Sequence, residues 1–103
     1  MAGENYWNHS EICGNSVYMR IYYSSKFERE YKKLPKETKK LAEEKEAMFR
    51  KNPFDPKLNT HKLHGRLKEY WVFSVSDKYR IIFEFAEKDL IWFHSIGDHS
   101  VYQ

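Results

Sequence analysis

Titratable and aromatic side chains crowd two stretches of this sequence: HKLHGR at residues 61–66 and GDHSVY at residues 97–102. Between them an apolar run, YRIIFEF, carries a single arginine, Arg80. Histidine titrates near ~6.5, so it can take or give a proton close to neutrality. The planar fork of arginine grips two phosphate oxygens at once. Tyrosine can stack on an unpaired base. RNA cleavage needs such a set, because the substrate brings its own nucleophile, the 2′-OH. One protein group takes its proton, another donates one to the 5′-leaving oxygen, and a cation stabilises the crowded phosphate. The candidate catalytic residues are His61 or His64 as base, Arg80 on the phosphate, His99 as acid and Tyr102 on a base. Lys62, Arg66, Lys68 and Lys78 are the candidate phosphate-binding residues, and no cofactor or metal is required.

Other chemistries find less support. There is no G-x-S-x-G for a Ser/His/Asp hydrolase and no G-x-x-x-x-G-K for a nucleotide phosphate. Zinc could use His61-x2-His64 with His94 or His99, but zinc sites favour thiolates or carboxylates at tighter spacing. His94 alternates with Trp92 and Ile96 and reads as a half-buried structural histidine. His9 has no neighbours that suggest a role.

Charge agrees with an anionic partner. The chain of 103 residues has net charge +3, yet residues 1–18 hold two acidic residues and no lysine or arginine. Within Lys57–Arg80, six basic residues face only Glu69 and Asp77. Such a local excess suits nucleic acid, although a solvated surface would look the same. The sequence is 41% hydrophobic and 17% aromatic, which excludes a disordered chain. It has no apolar run of the ~18 residues a membrane span needs and no secretory signal pattern. The single cysteine, Cys13, can form no internal disulfide. A cytoplasmic protein is expected.

The elements that must position these residues can be read from periodicity. Residues 1–18 show no period and read as an extension in front of one domain, 19–103. Residues 19–24 read as a strand. Ser25 and Glu28 form a capping box, and Phe27, Tyr31 and Leu34 make one face of a short helix. Pro35 ends it and opens a second helix to about Arg50, with Leu41, Ala42, Met48 and Phe49 as its stripe. Asn52-Pro53 stops that helix. The period then changes to two. Trp71, Phe73 and Val75 share a face; so do Tyr79, Ile81, Phe83 and Phe85, with Arg80, Ile82 and Glu84 opposite. Leu90 to Ile96 is the last strand. The expected fold is α+β, ordered β-α-α-β-β-β: a small antiparallel sheet with a two-helix hairpin packed on one face. Its other face would be solvated, carrying Arg80 mid-strand. The last strand would end near the rim where the Arg80 strand begins, so HKLHGR and GDHSVY should meet there.

Three stretches carry a family likeness. MRIYYSSKFEREYKKLP, HKLHGRLKEYWVFSVSDKYRIIFEF and IWFHSIGDHSVY resemble the RelE/ParE superfamily of bacterial type II toxins. The specific parts are Leu63-His64-Gly65, the YRIIF strand and the ending GDHSVY, which is similar to the G-x-H-x-x-(F/Y) ending of YafQ-type toxins. The resemblance implies ribosome-dependent cleavage of mRNA, contacts with the ribosome and a cognate antitoxin, with oligomers arising only through the antitoxin complex. It also implies roles. His61 matches the YafQ-type histidine before L-x-G, His99 the terminal histidine, Tyr102 the terminal aromatic and Arg80 the mid-strand arginine of RelE- and HigB-type members. The likeness is incomplete: YafQ-type toxins place a histidine and an aspartate where this chain has Ser74 or Val75 and Lys78. ParE-type members poison DNA gyrase, which is the alternative reading, and a binding module without catalysis would use the same basic face.

Overall fold

Burial of an aromatic core against two helices organises the chain. A computed structural model describes residues 19–65 and 69–98. Strand β1 spans Arg20–Tyr23, helix α1 Ser25–Lys32 and helix α2 Lys36–Lys51. A 3-10 turn at Pro56–Leu58 leads to β2, His61–Lys62; then come β3, Trp71–Ser74, β4, Arg80–Glu87, and β5, Leu90–Gly97. The sheet order is β1-β5-β4-β3-β2. The three strands β3, β4 and β5 form the expected antiparallel meander and β2 adds a fourth antiparallel strand, but β1 lies parallel to β5, so the sheet is mixed. The reason is topological. The meander is closed on one side by β2, which period alone did not reveal at two residues, and β1 can enter only at the free β5 edge.

Helix α1 begins one residue earlier than its capping box suggests. Ser24 is the N-cap, its hydroxyl accepting from the Phe27 N–H at 3.0 Å. The same hydroxyl donates to the His94 carbonyl at 2.8 Å, so the cap also ties α1 to β5. In α2 the buried positions are Ala42, Glu46 and Phe49. Leu41, expected in the stripe, is 37% exposed. One residue turns a helix by about 100°, so the i, i+4, i+7 set that holds Phe49 excludes Leu41 and takes in a glutamate instead. Phe49 stacks on Phe73 at 4.8 Å and meets Phe83 edge-on at 4.8 Å, with Phe93 at 5.6 Å.

A bulge re-sets β5. Ile82 pairs with Ser95 and Phe83 with Phe93, which leaves His94 as the extra residue. Phe93 and Ile96 therefore both reach the helix-side core, although three residues apart. His94 shares its face with Trp92 but not with Ile96, contrary to strict alternation. The opposite face is not wholly solvated either. Leu63, Val72 and Ile82 are buried there as a second small cluster, with Tyr70 packed against it.

Two carboxylates brace this frame with opposite pH signatures. Beyond Tyr23 the outer edge of β5 has no strand beside it, and Glu30 of α1 stands in: its Oε1 accepts from the Ile96 N–H at 3.0 Å and from the Ser95 hydroxyl at 2.9 Å. Burial pushes the Glu30 carboxyl up, but hydrogen bonds from Lys26, the Ile96 N–H and Ser95 outweigh it and leave it below 4.5. Glu30 therefore adds stability above the unfolded value near 4.5, and this is lost as pH falls through its lowered folded value. Glu46 is the reverse. Burial raises its carboxyl, against hydrogen bonds from Tyr23 and Arg50 and the charge of Arg50. A raised folded value favours the fold in acid and costs stability as pH rises through it. Denaturant unfolding of Glu46→Gln from pH 4 to 8 checks this: stability relative to the parent is expected to increase with pH, and a flat difference would contradict it. Glu30→Ala, by stranding the Ile96 N–H, should cost about 1–3 kcal/mol at pH 7.

Candidate functional site

Arg80 opens β4 rather than standing in its middle, because the turn before it extends to Tyr79. Its Nη1 donates to the carbonyls of Ser76, Asp77 (3.2 Å) and Tyr79 (3.2 Å). It makes no pair with Glu84 or Glu69; Glu84 is engaged by His94. The turn thus holds one corner of the guanidinium. Nε and Nη2 have no partner among the described residues, which leaves one bidentate edge able to receive two phosphate oxygens.

Strand register brings the end of β5 to this arginine: Arg80 pairs with Gly97, the last residue of β5. The HKLHGR segment divides. His61 pairs with Val72, two residues short of Ser74, which pairs with Arg80. With strands about 4.8 Å apart and about 3.3 Å per residue, His61 lies roughly 12 Å from Arg80 across the sheet. Its Nδ1–H donates to the Asn59 carbonyl at 2.8 Å, which leaves Nε2 with a free lone pair. His64 is carried away: β2 runs antiparallel to β3, so beyond Lys62 the chain moves toward the opposite end of the sheet. Leu63 N–H bonds the Tyr70 carbonyl there, and Gly65 turns with φ +71°, which favours glycine. Of the two described histidines of HKLHGR, His61 is therefore the one on the Arg80 side of β2. Lys62 lines an open cleft of about 410 Å³ with Glu69, Trp71, Glu84 and Phe85. Lys78 is exposed, its Nζ 5.4 Å from the Tyr79 ring. Arg66, Lys68, His99, Tyr102 and the extension 1–18 lie outside the described residues.

A second group was overlooked in the sequence. His94 Nε2–H donates to Glu84 Oε1 at 2.9 Å on the face opposite the helices. The half-burial expected of His94 holds, but its carboxylate partner comes from the neighbouring strand, a pairing that only register reveals. Among the described residues no group of three or more His, Cys, Asp or Glu is placed to hold a metal ion. No described helix is long and apolar enough to cross a membrane.

A mixed five-stranded sheet with two helices is the α+β fold of RelE/ParE-superfamily toxins. Solved structures agree in fold. YafQ from E. coli strain BL21(DE3) is 20% identical, with TM-score 0.68 over 82% of this chain and 97% of that one. A YoeB/ParE toxin from Agrobacterium tumefaciens is 12% identical, with TM-score 0.69 over 79% and 99%. The RelE of an archaeal RelE–RelB complex from Pyrococcus horikoshii OT3 is 17% identical, with TM-score 0.62 over 81% and 97%. No curated protein matches by sequence. The chain belongs to the YafQ family, the bacterial toxins of type II toxin–antitoxin systems, whose family model matches residues 19–102.

Proposed function

We propose that this toxin is a ribosome-dependent mRNA endoribonuclease that cuts through the substrate's own 2′-OH without a metal. The observation that carries the reading is the pairing of Arg80 with Gly97. It sets the end of β5 beside a guanidinium whose one edge is held by the turn and whose other edge is open. In this reading Arg80, with Arg66, stabilises charge on the phosphorane-like phosphate. His99 protonates the 5′-leaving oxygen and Tyr102 stacks on a base. His61 draws the proton from the 2′-OH through Nε2, which its bond to Asn59 leaves free. His64, toward the other end of the sheet, is the weaker candidate for base. Lys62, Lys68 and Lys78 contribute phosphate contacts.

A cognate antitoxin is the expected protein partner. The DinJ–YafQ complex from E. coli, whose toxin is 21% identical to this chain, and the RelE–RelB complex support it. The test incubates the purified chain with ribosomes programmed by an mRNA and maps the cuts by primer extension. Cuts that need the ribosome and leave 5′-hydroxyl ends are expected, because 2′-OH attack expels the 5′-oxygen. Intact mRNA together with blocked gyrase supercoiling would replace this reading with the ParE-type one.

A further inference from the structure

The open face carries a row of rings that the proposed catalytic set does not use. Tyr22 and Trp92 sit side by side across the β1–β5 pairing, centroids 5.4 Å apart. Trp92 continues to His94 at 5.9 Å, and His94 to Tyr70 at 4.8 Å. The row therefore crosses from the β1 edge to the chain just before β3. Tyr22 is 55% and Trp92 39% exposed, among the most exposed large apolar residues described. Local structure holds the row in place. The β5 bulge keeps Phe93 and Ile96 in the core while Trp92 and His94 face outward. Glu84 fixes the His94 ring through Nε2.

We propose that Tyr22, Trp92, His94 and Tyr70 form a stacking surface for unpaired bases of single-stranded RNA, extending the Arg80 site along the same sheet face. Three observations favour RNA as the occupant. First, the flanking charge is cationic: exposed Arg20 precedes Tyr22 on the same face of β1, and Arg80 lies four residues before Glu84 on β4. Second, Glu84, the carboxylate beside the row, is held by a hydrogen bond from His94 Nε2 at 2.9 Å. Third, the row is continuous with the proposed site; Glu84 and Arg80 are about 13 Å apart along β4, a span that a flexible strand covers in a few nucleotides. Stacking on such rings is tolerant of sequence, since every base has a π-face, and backbone contacts to arginine supply the rest. The stripe thus rests on the ribonuclease reading and names the form of its substrate: a single strand held on both sides of the cut.

The test is fluorescence anisotropy with a labelled, fully 2′-O-methylated single-stranded oligoribonucleotide, which cannot be cut through its 2′ position. The parent should bind it more tightly than the same strand annealed to its complement. Trp92→Ala and Tyr22→Ala should each weaken binding about tenfold or more, and Trp92→Phe, which keeps a ring, should stay within about twofold of the parent. Melting temperatures close to the parent's show that the variants fold. Binding of the single strand by Trp92→Ala at parental strength overturns the proposal. So does a Trp92→Ala that loses only its hold on the cognate antitoxin, which would make the face a protein interface. A parent that binds through Trp92 but never cuts mRNA supports the stripe and sinks the ribonuclease reading. A parent that cuts while Trp92→Ala binds unchanged sinks the stripe alone.

Discussion

Arg80→Ala is expected to lower ribosome-dependent mRNA cleavage by about 100-fold or more, the usual loss when one preorganised charge stabiliser is removed. The fold should survive. The carbonyls of Ser76, Asp77 and Tyr79 that Arg80 holds belong to a surface turn and can be hydrated, so the stability cost should be about 1 kcal/mol. Arg80→Lys separates charge from geometry. It keeps the cation but not the fork, and should recover only part of the activity. His99→Ala is the companion, with a loss of about 10²–10⁴ if it donates the leaving-group proton. Lys88→Ala, in the turn between β4 and β5, should cut like the parent. His64→Ala should also stay close to the parent, since β2 carries it away from Arg80, whereas His61→Ala should not. Primer extension of a ribosome-bound message reads all of these. An Arg80→Ala that cleaves like the parent would remove the phosphate role.

Phe49→Ala is expected to destabilise the domain by about 3–5 kcal/mol, the range for emptying a buried phenyl ring. Phe49 is fully buried and touches Phe73, Phe83 and Phe93 from three adjoining strands, so no single neighbour can collapse into the space. A domain of this size has only about 5–15 kcal/mol in total. The melting temperature should fall by roughly 12 °C or more. Phe49→Leu, which leaves a smaller void, should cost much less. Thermal unfolding followed by circular dichroism measures both. A fall of under about 5 °C for Phe49→Ala would mean that the helix pair does not anchor the sheet as its contacts imply.

The sequence alone determined the class of fold, because the signals for it are local. Ser25–Glu28 marks a helix start to within a residue, Pro35 and Asn52-Pro53 punctuate the two helices, and the change to period two at Trp71 announces the hairpins. The toxin family was also legible, since its signatures are short contiguous runs such as YRIIF and GDHSVY. The residue types for acid–base and phosphate chemistry could be chosen from their intrinsic properties.

What the tertiary structure alone decided depends on contacts distant in the chain. No local pattern says that β1 joins the sheet parallel to β5, since an edge is chosen by which partner is left unpaired. The stripe of α2 holds for Ala42 and Phe49 but takes in Glu46 rather than Leu41, because Tyr23 of β1 and Arg50, one turn further along α2, give the buried carboxyl its partners. Strict alternation failed in β5 because one bulged residue changes which side chains share a face, and Phe93 and Ile96 could not both reach the core without it. The same bulge places His94 and Trp92 together on the open face. Chain direction, not composition, separates the two histidines of HKLHGR: His61 precedes the point where β2 turns away from Arg80, and His64 follows it. Residue type sets which chemistry a side chain can do, but register and strand direction set which side chains can do it together.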